Sequence, residues 1–201
     1  MNLKNRYWYS FKGLPKHFCN DVIQYGKKQE VKDALIEETK RDLTEKNLKE
    51  QKESIRNSDV SWLNDKWVYD AIIPYFNDAN KSCGWNFDID FYETCQFTIY
   101  KNTNFYDWHI DMGNESYKEG PFKGTYRKLS MVLLLNDPNE FTGGTLQFDF
   151  RDIRDPNIHE YRFSKQGACI VFPSFLWHRV IPITKGTRYS LVTWATGKPF
   201  K

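Results

Sequence analysis

The chain lacks any run approaching 20 apolar residues, so nothing in it reads as a membrane-spanning helix. Its first residues, MNLKNRYWYSFKG, lack the apolar stretch and cleavage pattern of a secretory leader, and the expected location is cytoplasmic. Cysteine is scarce. Cys19, Cys83, Cys95 and Cys169 show no C-x-x-C or finger spacing, which argues against a zinc module and for buried free thiols in a reducing compartment. An excess of one charge is also missing: 29 Lys and Arg face 26 Asp and Glu, with no long basic block, so a nucleic-acid partner is not indicated. Histidine is as scarce as cysteine, with four in 201 residues.

What the chain does have is aromatic mass: 17% Phe, Trp and Tyr, with seven Trp. Such a chain can bury a packed core, and its length suits a single domain over residues 1–201. The first part, about 14–82, is expected to be helical. One segment starts near Pro15 and runs through Lys28; another, capped at Asn64 or Asp65, runs to about Lys81 with Trp67, Ile72, Ile73, Phe76 and Ala79 at helical spacing. Between them, residues 27–56 are dense in charge and poor in apolar anchors. They read as a solvated helix or excursion, with a partner-binding face as the alternative.

After Gly84 the period changes. Phe87, Ile89, Phe91, Cys95, Phe97 and Ile99 alternate with Asp88, Asp90, Thr94, Gln96, Thr98 and Tyr100, the pattern of a two-faced strand. Further strands are expected at Leu129–Leu135, Thr145–Phe150, Ala168–Phe172, Arg179–Ile183 and Tyr189–Ala195. Turn signals separate them at Asn136-Asp137-Pro138, Gly143-Gly144, Gln166-Gly167 and Lys185-Gly186. Helices followed by many strands give an α+β, mostly β class: a jelly-roll or cupin-like barrel over about 87–197, with the helices packed on one side.

Within that body, His109-x-Asp111 is followed much later by His178. Two His and one carboxylate can occupy one face of an octahedral iron and leave open positions for substrates, as in non-haem Fe(II) oxygenases. With four His and 26 acidic residues, a single H-x-[D/E] match is close to chance. If the pair lies in one strand, i and i+2 share a face and both side chains converge. The alternative is a pair of hydrogen-bonded structural histidines and a turn aspartate. Arg188 adds weight, because it enters an apolar strand ten residues after His178 and shares a face with Ser190, so together they can hold a carboxylate. A lone Arg is more often a surface charge. Tyr100, on the polar face of its strand before the loop to His109, can reach the same pocket. His17 and His159 lack comparable settings and read as surface residues.

Three segments, Gln96–Asp111, Arg127–Phe148 and Gly167–Trp194, resemble the Fe(II)- and 2-oxoglutarate-dependent dioxygenases, in particular the prolyl 4-hydroxylase-like (PKHD-type) branch. The features that carry it are Tyr100 and Tyr106 ahead of His109-Ile110-Asp111, then RKLSMVLLLNDPNEFTGGTLQF, then GACIVFPSFLWHRVIPITKGTRYSLVTW; IRNSDVSWL and the following helix resemble the family's N-terminal part. The resemblance implies a double-stranded β-helix. It implies His109, Asp111 and His178 as iron ligands, Arg188 as the cation for the distal carboxylate of 2-oxoglutarate, Tyr100 as its hydrogen-bond partner, and Ser190 as a further contact. It also implies Fe(II), 2-oxoglutarate and O2, with ascorbate as reductant, and hydroxylation of a C–H bond with release of succinate and CO2. A carboxylate at Asp111, rather than Ala or Gly, argues for hydroxylation over halogenation.

A peptidyl proline is the family's substrate analogy; free amino acids, small metabolites and modified bases stay open. The loops that would choose among them are Asn102–Tyr106, Gly113–Tyr126 and Arg151–Tyr161. Gly143-Gly144 matches a close-packed turn, which simple turn chemistry also explains, and Trp194 fits either the substrate side or the core. The competing readings are a non-catalytic metal- or 2-oxoglutarate-binding sensor on the same barrel and a cupin-type metal enzyme that does not use 2-oxoglutarate.

Overall fold

A computed structural model describes residues 5–10, 12–30, 32–33, 56–101 and 103–200; at 32–33 and 56–57 only the backbone pairing is considered. The elements in chain order are β1 (Trp8–Ser10), α1 (Lys16–Gly26), β2 (Lys32–Asp33), β3 (Arg56–Asn57), β4 (Asp59–Leu63), α2 (Lys66–Ser82), β5 (Phe91–Tyr92), β6 (Cys95–Lys101) and β7 (Phe105–His109). There follow β8 (Tyr126–Leu134), β9 (Phe141–Gly143), β10 (Leu146–Asp149), β11 (Ile158–Tyr161), β12 (Cys169–Pro173), β13 (Trp177–Val180) and β14 (Ile183–Gly197).

The strands form two antiparallel sheets. The larger has the order β1-β12-β8-β14-β6-β4-β2, with β5 and β9 also pairing β14. The smaller has the order β11-β10-β13-β7-β3. Its inward residues Leu146, Phe148 and Val180 share one buried cluster with Tyr100, Val132, Leu134, Ile170 and Phe172 of the larger sheet, so the sheets pack face to face. The opposite face of the larger sheet presents Cys95, Phe97, Leu129, Met131, Leu133, Cys169, Val171 and Leu191 to Phe18, Cys19 and Val22 of α1 and to Val68, Ile72, Phe76 and Ala79 of α2. Alternate residues of β6, β8, β12 and β14 thus serve two different layers. Being covered on both faces explains why β8 and β12 read as near-continuous apolar runs.

The expected class therefore holds: mostly β, with helices on one side. Several boundaries differ. The first third is not wholly helical, because β1 pairs β12, β2 pairs β4 and β4 pairs β6. Of the charged stretch 27–56, residues 31 and 34–55 lie outside the described residues; 27–30 turn away from the end of α1, 32–33 form β2 and Arg56 opens β3. In α2 the buried stripe uses Val68, whereas Trp67 stays 39% exposed. The alternation from Phe87 is not one strand: it breaks at residues 93–94 between β5 and β6. Among the described residues the two sheets do not join into one closed ladder, so the body is a pair of facing sheets rather than a sealed barrel.

Candidate active site

His109 ends β7 and His178 lies in β13, its neighbour in the smaller sheet; the two are directly opposed in register. Their rings lie 4.1 Å apart between centroids. Asp111 is not in the strand, because β7 stops at His109. The carboxylate arrives instead through the turn that follows, where the N–H groups of Asp111 and Met112 both donate to the Ser174 carbonyl at 2.9 Å. The shared strand face assumed for His109 and Asp111 is thus replaced by a turn pinned to the strand end before His178.

Asp111 Oδ1 lies 3.7 Å from His109 Nε2, and Oδ2 lies 3.4 Å from His178 Nε2. One ligand atom from each of the three residues falls within 4.8 Å of the others, the spacing of groups that could share one cation. The ring geometry agrees. His109 Nδ1 is 2.7 Å from the Asp107 carbonyl and His178 Nδ1 is 2.9 Å from the Leu176 carbonyl. A carbonyl can only accept, so each Nδ1 donates to it and each Nε2 is turned to the centre, where it could offer its lone pair to a metal. Tyr106 stacks on His109 at 3.5 Å, and Phe172 packs edge-on against His178 at 4.7 Å, which fixes both ring planes. Burial works against the charge of Asp111. The two imidazoles, Arg127 and the Ser130 hydroxyl outweigh it and hold the carboxyl down at about 2, so it is ionised at neutral pH.

Arg188 lies in β14 opposite Tyr100 of β6, on the face turned to the smaller sheet. It is 1% exposed. Its Nη1 donates to Ser190 Oγ at 3.2 Å, whereas Nε and Nη2 are buried without a hydrogen-bond partner. Those two groups form one edge of the guanidinium fork, the edge that grips a carboxylate through two parallel bonds. Burial lowers the Arg188 pKa from its ordinary value, with Tyr100 opposing, and a guanidinium stays charged under either influence. A buried cation with an empty edge is costly unless an anion completes it. Gly143-Gly144 makes room beside it. A Cβ on Gly144 would lie 2.9 Å from Arg188 Cδ and 2.5 Å from Ile183 Cδ1, and one on Gly143 would lie 2.1 Å from the Pro182 carbonyl oxygen. Both glycines also have positive φ, so they do more than turn the chain.

Sequence reasoning missed a second polar group beside the triad. Arg127 binds Glu93 through both carboxylate oxygens, at 2.8 and 2.6 Å, and Tyr117 donates to the same Glu93 at 2.8 Å. The Arg127 guanidinium lies 3.8 Å above the Trp194 ring. Trp194 Nε1 and Thr196 Oγ1, further along β14, are buried with no partner. Ser130 and Ser174, whose hydroxyls are 2.9 Å apart, were also missed. A serine inside the apolar run LSMVLLL was the available signal for Ser130; Glu93 and Arg127 are too far apart in sequence to have given one. His17 is exposed as expected. His159 is half-buried and pairs with Asp155 at 2.8 Å, away from the triad.

A profile of the 2OG-Fe(II) oxygenase superfamily matches residues 95–196, just over half of the chain. A PKHD-type hydroxylase of Acaryochloris marina is 33% identical over 102 residues, which are 50% of this chain and 41% of the relative. The matched segment thus spans about two fifths of that curated relative. A prolyl-4-hydroxylase of Pseudomonas putida superposes with TM-score 0.66 at 20% identity, covering 98% of this chain and 96% of that one. The collagen prolyl hydroxylase of Paramecium bursaria Chlorella virus-1, solved with 2OG, superposes with TM-score 0.65 at 18% identity, covering 96% and 97%. These structural likenesses identify the two facing sheets as a double-stranded β-helix. With the profile spanning β6 to β14, including His109, Asp111, His178 and Arg188, the chain belongs to the 2OG-Fe(II) oxygenase superfamily.

Proposed function

We propose that this protein is an Fe(II)- and 2-oxoglutarate-dependent dioxygenase that hydroxylates a C–H bond of a peptide, with a prolyl residue as the first substrate to test. The observation that carries the reading is the buried Arg188 guanidinium with an unpartnered bidentate edge, in the same inter-sheet interior as a His-Asp-His group. His109, Asp111 and His178 would hold the metal through two Nε2 atoms and an ionised carboxylate, a donor set suited to ferrous iron with open positions. Arg188 would take the distal carboxylate of 2-oxoglutarate, with Ser190 holding its third nitrogen and Tyr100 alongside. When bound, iron, O2 and 2-oxoglutarate supply the oxidising chemistry, releasing succinate and CO2, and ascorbate is the matching reductant.

The protein's own part is to bind, orient and keep water out. Phe148 and Phe172 dry the His178 side, and the Asp107 and Leu176 carbonyls keep both imidazoles in one tautomer. On the substrate side, Trp194 Nε1 is an unused buried donor beneath Arg127, whose charge Glu93 already balances. A neutral ledge of that kind suits an amide-bearing substrate better than a free carboxylate. The name of the P. putida neighbour, a prolyl-4-hydroxylase, supports proline as the residue.

The described residues are read as one domain, since the larger sheet contributes to both buried clusters. Four buried free cysteines support a reducing compartment; no helix among the described residues is long and apolar enough to cross a membrane.

The test is succinate release by Fe(II)-loaded protein with 2-oxoglutarate and O2, screened across prolyl peptides, free amino acids and nucleotides, with a +16 Da product sought by mass spectrometry. A peptide product supports the reading. Tight 2-oxoglutarate binding with no succinate from any candidate would favour a sensor, and no 2-oxoglutarate binding by the anaerobic ferrous protein would favour a metal enzyme of another kind.

A further inference from the structure

We infer that Asn136 is a positioning residue for Arg188: its side-chain amide continues the sheet where β8 stops and so holds the backbone that aims the guanidinium. The inference rests on the reading of Arg188 as the 2-oxoglutarate carboxylate site. β8 pairs β14 up to Leu134, opposite Ser190, and the next backbone bond runs from Leu135 N to the Tyr189 carbonyl at 2.9 Å. The chain then turns away through Asp137-Pro138, and proline has no N–H to offer. The rung beyond is supplied by a side chain. Asn136 Oδ1 accepts from Tyr189 N–H at 2.9 Å, and Nδ2 donates to the Thr187 carbonyl at 2.9 Å. These are the two residues that flank Arg188. A carboxamide carries one acceptor and a donor group at the spacing of a peptide unit, so it can stand in for the missing strand.

Two further features fix this arrangement. Nδ2 also donates to Glu140 Oε2 at 2.9 Å, so the amide has two acceptors on its nitrogen and one donor on its oxygen, and a flipped amide would break all three bonds. Asn136 itself is 3% exposed, so water cannot replace those bonds. On the other side Arg188 has only the β6 ladder, through Tyr100. Without Asn136, the strand carrying the cation would lose the bonds of the Tyr189 N–H and the Thr187 carbonyl on that side and keep only the Leu135 N–H to Tyr189 carbonyl bond.

The test is anaerobic titration of the Fe(II)-loaded protein with 2-oxoglutarate and with 2-oxobutyrate, which offers the same metal-chelating end but no distal carboxylate. Wild-type protein should prefer 2-oxoglutarate. Asn136→Ala should weaken 2-oxoglutarate by about tenfold or more, the usual effect of stranding buried polar groups, and leave 2-oxobutyrate and iron affinity unchanged. Glu140→Ala, at an exposed position, frees one hydrogen of the amide and should move 2-oxoglutarate in the same direction by less; it serves if the first variant fails to fold. In an Arg188→Ala background, Asn136→Ala should have no further effect on 2-oxoglutarate. Equal weakening of both acids, or additive losses with Arg188→Ala, would overturn the role of Asn136. A wild-type protein that binds both acids equally would instead overturn the reading of Arg188, and this inference with it.

Discussion

Asp111 and Arg188 carry opposite charges in one interior, and each is exposed to a different failure. Asp111 is ionised because two imidazoles, Arg127 and Ser130 face it. Asp111→Ala should therefore leave a two-histidine site that no longer retains iron, read as metal content after desalting; wild-type iron content in that variant would remove Asp111 from the ligand set. Arg188→Ala should raise the KM for 2-oxoglutarate roughly a hundredfold, about 2.7 kcal/mol, because a desolvated carboxylate loses its bidentate partner. An unchanged KM would place the co-substrate elsewhere. Both residues were legible in the sequence through their type and spacing. Arg127, Glu93, Ser174 and Asn136 were not, because each acts through a contact between elements that no local period encodes; Ser130 left only the trace of a polar residue inside an apolar run.

Among the elements, the β9–β10 turn and the helix–sheet interface make distinct demands. Gly144 leaves space for Arg188 Cδ at the start of β14. Gly144→Ala should weaken 2-oxoglutarate binding by about tenfold or more, from the overlap with Arg188 and a positive φ together, while iron binding through β7 and β13 persists. Parallel titrations with each ligand check this, and equal losses of both would point to general unfolding. At the helix–sheet interface, burial pushes the thiols of Cys95 and Cys169 up to about 12 and that of Cys19 up to about 11. A raised thiol pKa favours the neutral form in the folded state. The contribution is complete below the unfolded value of about 8.5 and is lost as pH rises toward 11–12, by roughly 1 kcal/mol per group per pH unit within that window. Denaturant midpoints at pH 8 and pH 10.5 should differ accordingly, and the difference should shrink when all three are replaced by Ala. The element types were mostly readable from period. The error at Asp111 arose because alternation was extended through Ile110, where the turn bonded to Ser174 takes over.

For the molecule as a whole, the two sheets meet at a seam that the N-terminal segment closes. Tyr7 stacks on Phe148 at 5.7 Å and meets Tyr161 edge-on at 6.0 Å, while Arg6 bonds Asp152 and Asp155 at 2.9 and 3.0 Å. Phe148 lies 6.2 Å from the His178 ring, so the seam adjoins the candidate site. Tyr7→Ala should lower stability by about 1–2 kcal/mol and Arg6→Ala by less than ~1 kcal/mol, since the first removes half-buried aromatic contact and the second a partly screened ion pair. Chemical denaturation measures both; an unshifted midpoint for Tyr7→Ala would mean that the segment does not bind the sheets together.

The sequence by itself determined the mostly β class, the helical layer and the choice of His109, Asp111 and His178 as candidate metal ligands, because period and residue type are local properties. Tertiary structure alone decided that His109 faces His178 across one ladder, that Asp111 reaches them from a turn, and that Arg188 is buried with an open edge. Those facts depend on strand register and on which groups lose access to water, and neither is written in the order of residues along any one element.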